Sequence, residues 1–142
     1  MKIAEEYFDR LLAPGGPADA ITQLDQVWCS RPGVSAKTPR FGLQEQEYDI
    51  HLVLLYTGAV SNGGHAQFFE GPLGRFASDT VRALQAAGLA TVAAALELAT
   101  AGRLRYEDAD KRVDPELLSV DAALLAYARR HASQICLPER AG

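Results

Sequence analysis

Apolar positions recur at helical spacing along almost the whole chain, and no segment shows a convincing period-two alternation of a strand. Over residues 3–12, Ile3, Tyr7, Phe8 and Leu11 share one face and Glu5, Glu6 and Asp9 lie on the other, which predicts a short amphipathic helix. Ala13-Pro14-Gly15-Gly16-Pro17 ends it. Pro17 suits the first turn of a second helix, where its missing N–H costs nothing, and Ile21, Leu24, Val27 and Trp28 carry that helix to about Trp28. Residues 29–42 hold Arg31, Lys37 and Arg40 together with two prolines and two glycines, and read as an exposed loop. A long helix follows over about 43–61. Tyr48, Leu52, Leu55, Tyr56 and Ala59 form one stripe and Ile50, Val53 and Leu54 another, so it is apolar most of the way round and belongs at the centre of the fold.

The second half is clearer still. Leu73, Phe76, Ala77, Thr80, Val81, Leu84 and Ala87 follow i, i+3, i+4 spacing, opposite Arg75, Ser78, Asp79, Arg82 and Gln85. Gly88 fits the left-handed position just past a helix end. Residues 89–101 restart a helix with Val92, Ala93, Leu96 and Ala99 inside, closed by Gly102; its many alanines imply close approach to a neighbour. Residues 103–113 read as a charged connector. Asp114-Pro115-Glu116 then marks a helix start, with an acid at the cap, proline in the first turn and a second acid beside it. The last helix, about 115–136, places Leu117, Leu118, Leu124, Leu125, Ala128, Ala132 and Ile135 inside, and Pro138 stops it. The expectation is one all-α domain of about six helices spanning residues 1–142.

Between the two central helices lies Asn62-Gly63-Gly64-His65-Ala66-Gln67-Phe68-Phe69-Glu70-Gly71-Pro72-Leu73-Gly74. Asn62, Gly63 and Gly64 read as a helix cap and tight turn with a positive φ at one glycine; an anion-binding nest is the alternative. No strand precedes the glycines, which excludes a dinucleotide or P-loop reading. At least one of Phe68 and Phe69 should be a core plug, Gln67 should bond to backbone, and Gly74 leads into the next helix.

These residues carry a resemblance. Asn62-Gly63-Gly64, Gln67-Phe68-Phe69, Gly74, and Thr80-Val81-Arg82-Ala83-Leu84 followed by Gly88 resemble the DMP-type DNA-mimic domain family, and Asp114, Leu117, Leu118, Leu124 and Tyr127 resemble its last helix. Two positions depart from the family's usual pattern: His65 stands where an aromatic is usual, and Glu70 where an Asn is usual. The resemblance implies an all-helical bacterial domain. It also implies a protein that, in at least one member, imitates DNA with surface carboxylates.

Composition changes the picture little. At 142 residues, 48% hydrophobic and 23% charged, the chain has the profile of a soluble globular domain that needs no metal or disulfide to fold. A net charge of −4 argues against direct binding of nucleic acid or an anionic membrane. No apolar run approaches the roughly 20 residues that span a bilayer, and the charged start, Met1-Lys2-Ile3-Ala4-Glu5-Glu6, is unlike a signal peptide. Cytoplasmic residence is the default, which favours Cys29 and Cys136 as reduced buried thiols; a disulfide between them is the alternative.

Charge placement is more telling. Between Arg40 and Arg75 there is no Lys or Arg, while Glu45, Glu47, Asp49 and Glu70 all occur there. Glu45 and Asp49, i and i+4 on a helix, present negative charge to a basic partner if they are on the surface. The alternative is that acids near a helix N-terminus complement its dipole. Among candidates for chemistry, His65 and Glu70 form a proton-transfer pair with no nucleophile at a recognised spacing. Glu47 and His51 share a helix face but lack a third metal ligand, and Glu107, Asp108 and Asp110 lack the glycine and final glutamate of a calcium loop. His131 falls on the apolar stripe of the last helix as a packing residue.

The reading that results is a non-enzymatic module with no cofactor and no metal. It offers Glu45, Glu47, Asp49 and Glu70 to a basic protein, either a nucleic-acid-binding protein or a toxin that it inhibits as an immunity protein. The alternatives are a small hydrolase or metal-dependent enzyme using His65 and Glu70, and a helical domain that self-associates as a homodimer.

Overall fold

The computed structural model describes residues 9–11, 13, 15–16, 19–35 and 37–135. These are all-α, with six α-helices and no strand among the described residues. The helices are α1 (Ala20–Cys29), α2 (Glu45–Glu70), α3 (Ala77–Ala86), α4 (Ala90–Thr100), α5 (Tyr106–Val113) and α6 (Val120–Arg130). Of the first predicted helix only residues 9–11 are described, and they are helical with Leu11 buried. Ile3, Tyr7, Phe8, Pro17 and Cys136 lie outside the described residues.

The chain divides into two compact units, Met1–Tyr48 with Leu124–Gly142, and Asp49–Ala123. In the first unit α1 buries Ile21, Leu24 and Trp28, spaced i, i+3, i+7 as the apolar stripe requires. Residues 30–42 are mostly exposed, as a loop rich in Pro and Gly should be. Arg31, Val34 and Phe41 are half-buried, and the Arg31 side chain is only 9% exposed. A 3-10 turn, Pro39–Gly42, carries three successive left-handed residues, Arg40, Phe41 and Gly42. Phe41 packs on Tyr48 with ring centroids 6.0 Å apart. Near the end of α6, His131 packs on the Tyr127 ring at 4.6 Å and is half-buried, in keeping with a packing role.

In the second unit α3 packs against α4, and α4 against α5. α3 buries Ala77, Thr80, Val81, Ala83 and Leu84 and exposes Ser78, Asp79, Arg82 and Gln85, as its period predicts. α4 buries Val92, Ala93, Ala95, Leu96 and Ala99, and side chains this small let a neighbouring helix approach closely. Both helices end in the same motif. Past α3, Gly88 N–H donates to Gln85 C=O (3.0 Å) and Leu89 N–H to Leu84 C=O (2.9 Å). Past α4, Gly102 N–H donates to Ala99 C=O (3.1 Å) and Arg103 N–H to Leu98 C=O (2.9 Å). Both glycines have positive φ, 80° and 72°, so each satisfies orphan carbonyls that a residue with a Cβ would reach only under strain.

Three elements differ from the sequence reading. The charged connector is helical: Tyr106–Val113 forms α5, burying only Ala109 and Val113. Two apolar residues are too few to make a visible stripe. The legible signal was electrostatic, with Glu107 and Asp108 in the first turn and Lys111 and Arg112 in the last, each placed to favour the helix dipole. The last helix is split. Asp114–Ser119 is 3-10 helix and only Val120–Arg130 is α. Its three residues per turn shift the phase of the apolar stripe, so Leu118, expected inside, is 95% exposed and Leu117 only half-buried. Finally, the helix expected to stop near residue 61 does break at Gly63 and Gly64, whose backbone is non-helical, but the turn expected beyond it is a second short helical stretch that runs to Glu70.

Candidate functional site

The glycine kink organises the most connected cluster in the second unit. Gly64 has φ 71° and ψ −173°, a region open to glycine alone, whereas Gly63 at φ −146° has an ordinary backbone. The positive φ expected at one of the two therefore falls at Gly64. Past it the chain resumes as helix, so the Gln67-Phe68-Phe69 segment is a helical turn rather than a loop. Gln67 bonds to a side chain, not to backbone: its Oε1 accepts from Asn62 Nδ2 at 2.8 Å across the kink.

His65, the first residue of the resumed helix, is fully buried. Its backbone N–H donates to Asp110 Oδ1 (2.8 Å), and its ring Nδ1 lies 2.6 Å from the same oxygen. Its Nε2 is 2.7 Å from the Tyr56 hydroxyl. Burial, then the nearby Asp110 charge, push the Tyr56 phenol well above its ordinary range, so its hydroxyl stays protonated and is available as a donor. Both ring nitrogens of His65 are thus engaged, one by the Asp110 carboxylate and one by the Tyr56 hydroxyl.

An aromatic series extends from this trio. Tyr56 and Phe68 meet edge to face at 5.2 Å, Phe68 and Phe69 at 5.1 Å, and Phe69 stacks on Tyr106 at 5.0 Å with ring planes 9° apart. Two i, i+4 pairs are thus matched: His65 and Phe69 on the resumed part of α2 hold Asp110 and Tyr106 of α5. The kink turns His65 toward α5, and α5 clasps it at two points. Phe68, 1% exposed, is the core plug expected at this turn, and Phe69 is half-buried.

A Cβ on Gly64 would lie 2.5 Å from Asp110 Oδ2, and one on Gly63 would clash with Gln67 Oε1 and lie 2.9 Å from Gln67 Cβ; of the two glycines only Gly64 also has a positive φ. Gly64→Ala should therefore cost at least about 1–3 kcal/mol through the backbone and should also displace Asp110 from His65. Gly63→Ala should cost less, because its φ is negative and only the crowding by Gln67 has to be relieved. Thermal melts of the two variants check this, and equal stabilities would mean that the kink is not fixed by Gly64.

The acids expected to form a partner-binding surface separate into two groups. Glu45 and Glu70 are exposed. Glu47 and Asp49 are buried, at 0% and 3% exposure, which corrects the expectation that they lie on the surface. Within the first unit Glu47 is held by both terminal nitrogens of Arg31, with Nη1 donating to Oε2 at 3.2 Å. Its Oε1 also accepts the Gln44 backbone N–H at 3.0 Å. That bond is one half of a capping box, a glutamate in the third helical position reaching back to the residue before the helix. The helix-terminus alternative thus describes Glu47 better than a surface role. Within the second unit Asp49 pairs with Arg82 Nη1 at 3.0 Å.

The proton-transfer pair of His65 and Glu70 does not form. Both ring nitrogens of His65 are engaged by Tyr56 and Asp110, and neither the His65 nor the Tyr56 ring reaches solvent. The sequence reading missed Tyr56 and Tyr106 and took Asp110 for a residue of a solvated loop. Their only sequence signal was the i, i+4 spacing of Tyr106 and Asp110, which has meaning only once residues 106–113 are known to be helical. Burial first, and then the Asp25 carboxylate, push the Cys29 thiol up to about 11, which keeps it protonated and weakly nucleophilic at neutral pH. No helix among the described residues is long and apolar enough to cross a membrane.

The all-helical fold agrees with the family that the turn residues suggested. The model of the DMP19-like protein family matches residues 42–131, well over half of the sequence, and the chain belongs to that family. No curated protein and no solved structure matches it.

Proposed function

We propose that this chain is a non-enzymatic protein-binding module that presents an acidic helical surface to a basic bacterial protein, as a DNA-mimic regulator or as an immunity-type inhibitor of a toxin. Family membership supports the class. The observation that carries the reading is where the charge sits. Residues 49–123 hold ten Asp and Glu against six Lys and Arg, while the rest of the chain holds eight of each. The whole net charge of −4 therefore belongs to one unit. Glu45, Glu70, Glu97, Asp108, Asp114 and Asp121 are exposed and make no ion pair among the described residues. Carboxylates left in this state add to the field outside the protein and speed the approach of a positively charged partner.

The clasp around His65 supports the non-enzymatic reading, since its burial and hydrogen bonding suit a structural joint. A homodimer remains a different occupant for the same surface, and the measurement below separates the two. With the partner recovered from the cells of origin and purified, association should slow steeply as salt rises. Reversal of Glu70, Glu97, Glu107 and Asp108, all exposed residues of that unit, to Lys should lower the association rate roughly tenfold or more, with the melting temperature nearly unchanged. An association rate indifferent to both salt and the fourfold reversal would overturn the proposal.

A further inference from the structure

We infer that α5 is a strap over the glycine kink: it opens as a unit while α3 and α4 stay folded, and its opening uncovers His65. The inference is independent of the partner reading above.

The strap has few holds. Tyr106–Val113 is eight residues long, and an isolated helix shorter than roughly 12–15 residues is marginal in water. Its neighbours must therefore hold it, yet it buries only Ala109 and Val113. Glu107, Asp108, Lys111 and Arg112 are exposed. The ion pair at its start, Arg105 Nε to Glu107 at 3.6 Å, joins side chains that are 80% and 71% exposed. A pair so exposed adds little, and it ties α5 to no other helix. The ties to α2 are the Asp110 bonds to His65 and the stack of Tyr106 on Phe69. Water reaches both, since the Asp110 side chain is 40% exposed and Tyr106 36%.

The chain can turn at either end of α5. Before it, residues 101–105 are not helical and include Gly102 with a φ of 72°. An open cavity of about 380 Å³ lies at this corner, lined by Ala99, Gly102, Leu104, Arg105, Tyr106 and Glu107, so the first turn of α5 is loosely packed. After it, the Asp114 N–H donates to Asp110 C=O and the α-helical ladder stops, because Pro115 has no N–H to continue it.

The elements around the strap are of the opposite kind. α3 and α4 each bury five side chains and pack on one another, a contact that does not need α5. Beneath the strap, His65 and Tyr56 are 0% exposed. Opening α5 exposes two small side chains and breaks two ties that water already reaches, and it leaves the α3–α4 contact intact. Segments with so little buried apolar contact open at lower free energy than the whole unit. Once α5 lifts, the His65 backbone N–H and Nδ1 lose Asp110 and meet water.

The test is amide hydrogen exchange on the full chain, read by mass spectrometry. After correction for intrinsic rates, residues 109–113 should exchange at least about tenfold faster than the slowest amides of α3 and α4. Tyr106→Ala, at a partly exposed position, removes the stack and should speed exchange at 109–113 roughly threefold to tenfold. Val81→Ala in α3 should speed exchange in α3 and leave 109–113 unchanged, because an opening of α5 alone does not disturb Val81. Carbethoxylation of His65 by diethyl pyrocarbonate is the second readout. Its rate should rise with Tyr106→Ala by the same factor as exchange and should not respond to Val81→Ala. Exchange at 109–113 that is as slow as in α3 and α4, is unmoved by Tyr106→Ala, or is sped equally by Val81→Ala overturns the inference, since α5 then unfolds only with the whole unit. A His65 modification rate unmoved by Tyr106→Ala, while exchange at 109–113 rises, overturns the claim that the strap covers His65.

Discussion

Phe68→Ala should destabilise the Asp49–Ala123 unit by about 3–5 kcal/mol, measured by denaturant melts. The ring is 1% exposed and lies edge to face with both Tyr56 and Phe69. Its loss removes the apolar burial, leaves a cavity, and also frees the two rings that it orients. Those rings lead to the His65 joint on one side and to Tyr106 of α5 on the other, so collapse around the gap is resisted in both directions. Phe69→Ala should cost less, because Phe69 is half-buried and makes its main contact by stacking on a partly exposed Tyr106. A cost for Phe68→Ala below about 1 kcal/mol would show that the centre of the clasp is not a packed core.

Glu47→Lys should cost at least about 3–5 kcal/mol, because breaking a buried pair leaves an uncompensated charge behind. Here the Glu47 side chain is 0% exposed and that of Arg31 only 9%, so water cannot relieve the charge. The substitution also places a second cation against Arg31 and removes the acceptor for the Gln44 N–H at the start of α2. Glu45→Lys, one turn-start position away but exposed, should change stability by less than about 1 kcal/mol. Paired thermal melts test the contrast. Similar effects for the two would mean that the buried pair is not what holds this helix start.

The contrast between Glu45 and Glu47 shows where sequence reading reached its limit. Both acids fall in the same Lys- and Arg-free stretch, and the stretch alone cannot say which faces water. Glu47 is decided by Arg31, sixteen residues earlier in a loop that composition marks as exposed, and Asp49 by Arg82 on a different helix. A long-range ion pair has no local periodicity to betray it.

Much was legible because it is local. The 3.6-residue spacing of apolar side chains placed α1, α3, α4 and most of α2 and named their buried faces. Gly88 and Gly102 marked helix ends because a left-handed residue is needed there whatever the surroundings. The turn residues from Asn62 to Gly74 carried the family. Tertiary structure alone decided the rest. It made a charged connector into a helix, since Ala109 and Val113 gain their burial only from neighbours. It gave Asp110 to His65, closing a partly buried hydrogen-bond chain between residues 45 positions apart. It turned Leu118 outward through a 3-10 segment whose pitch the apolar pattern does not encode. A sequence fixes which faces must be hidden; which charges pair, and which apolar side chain remains uncovered, depend on what the chain brings beside them.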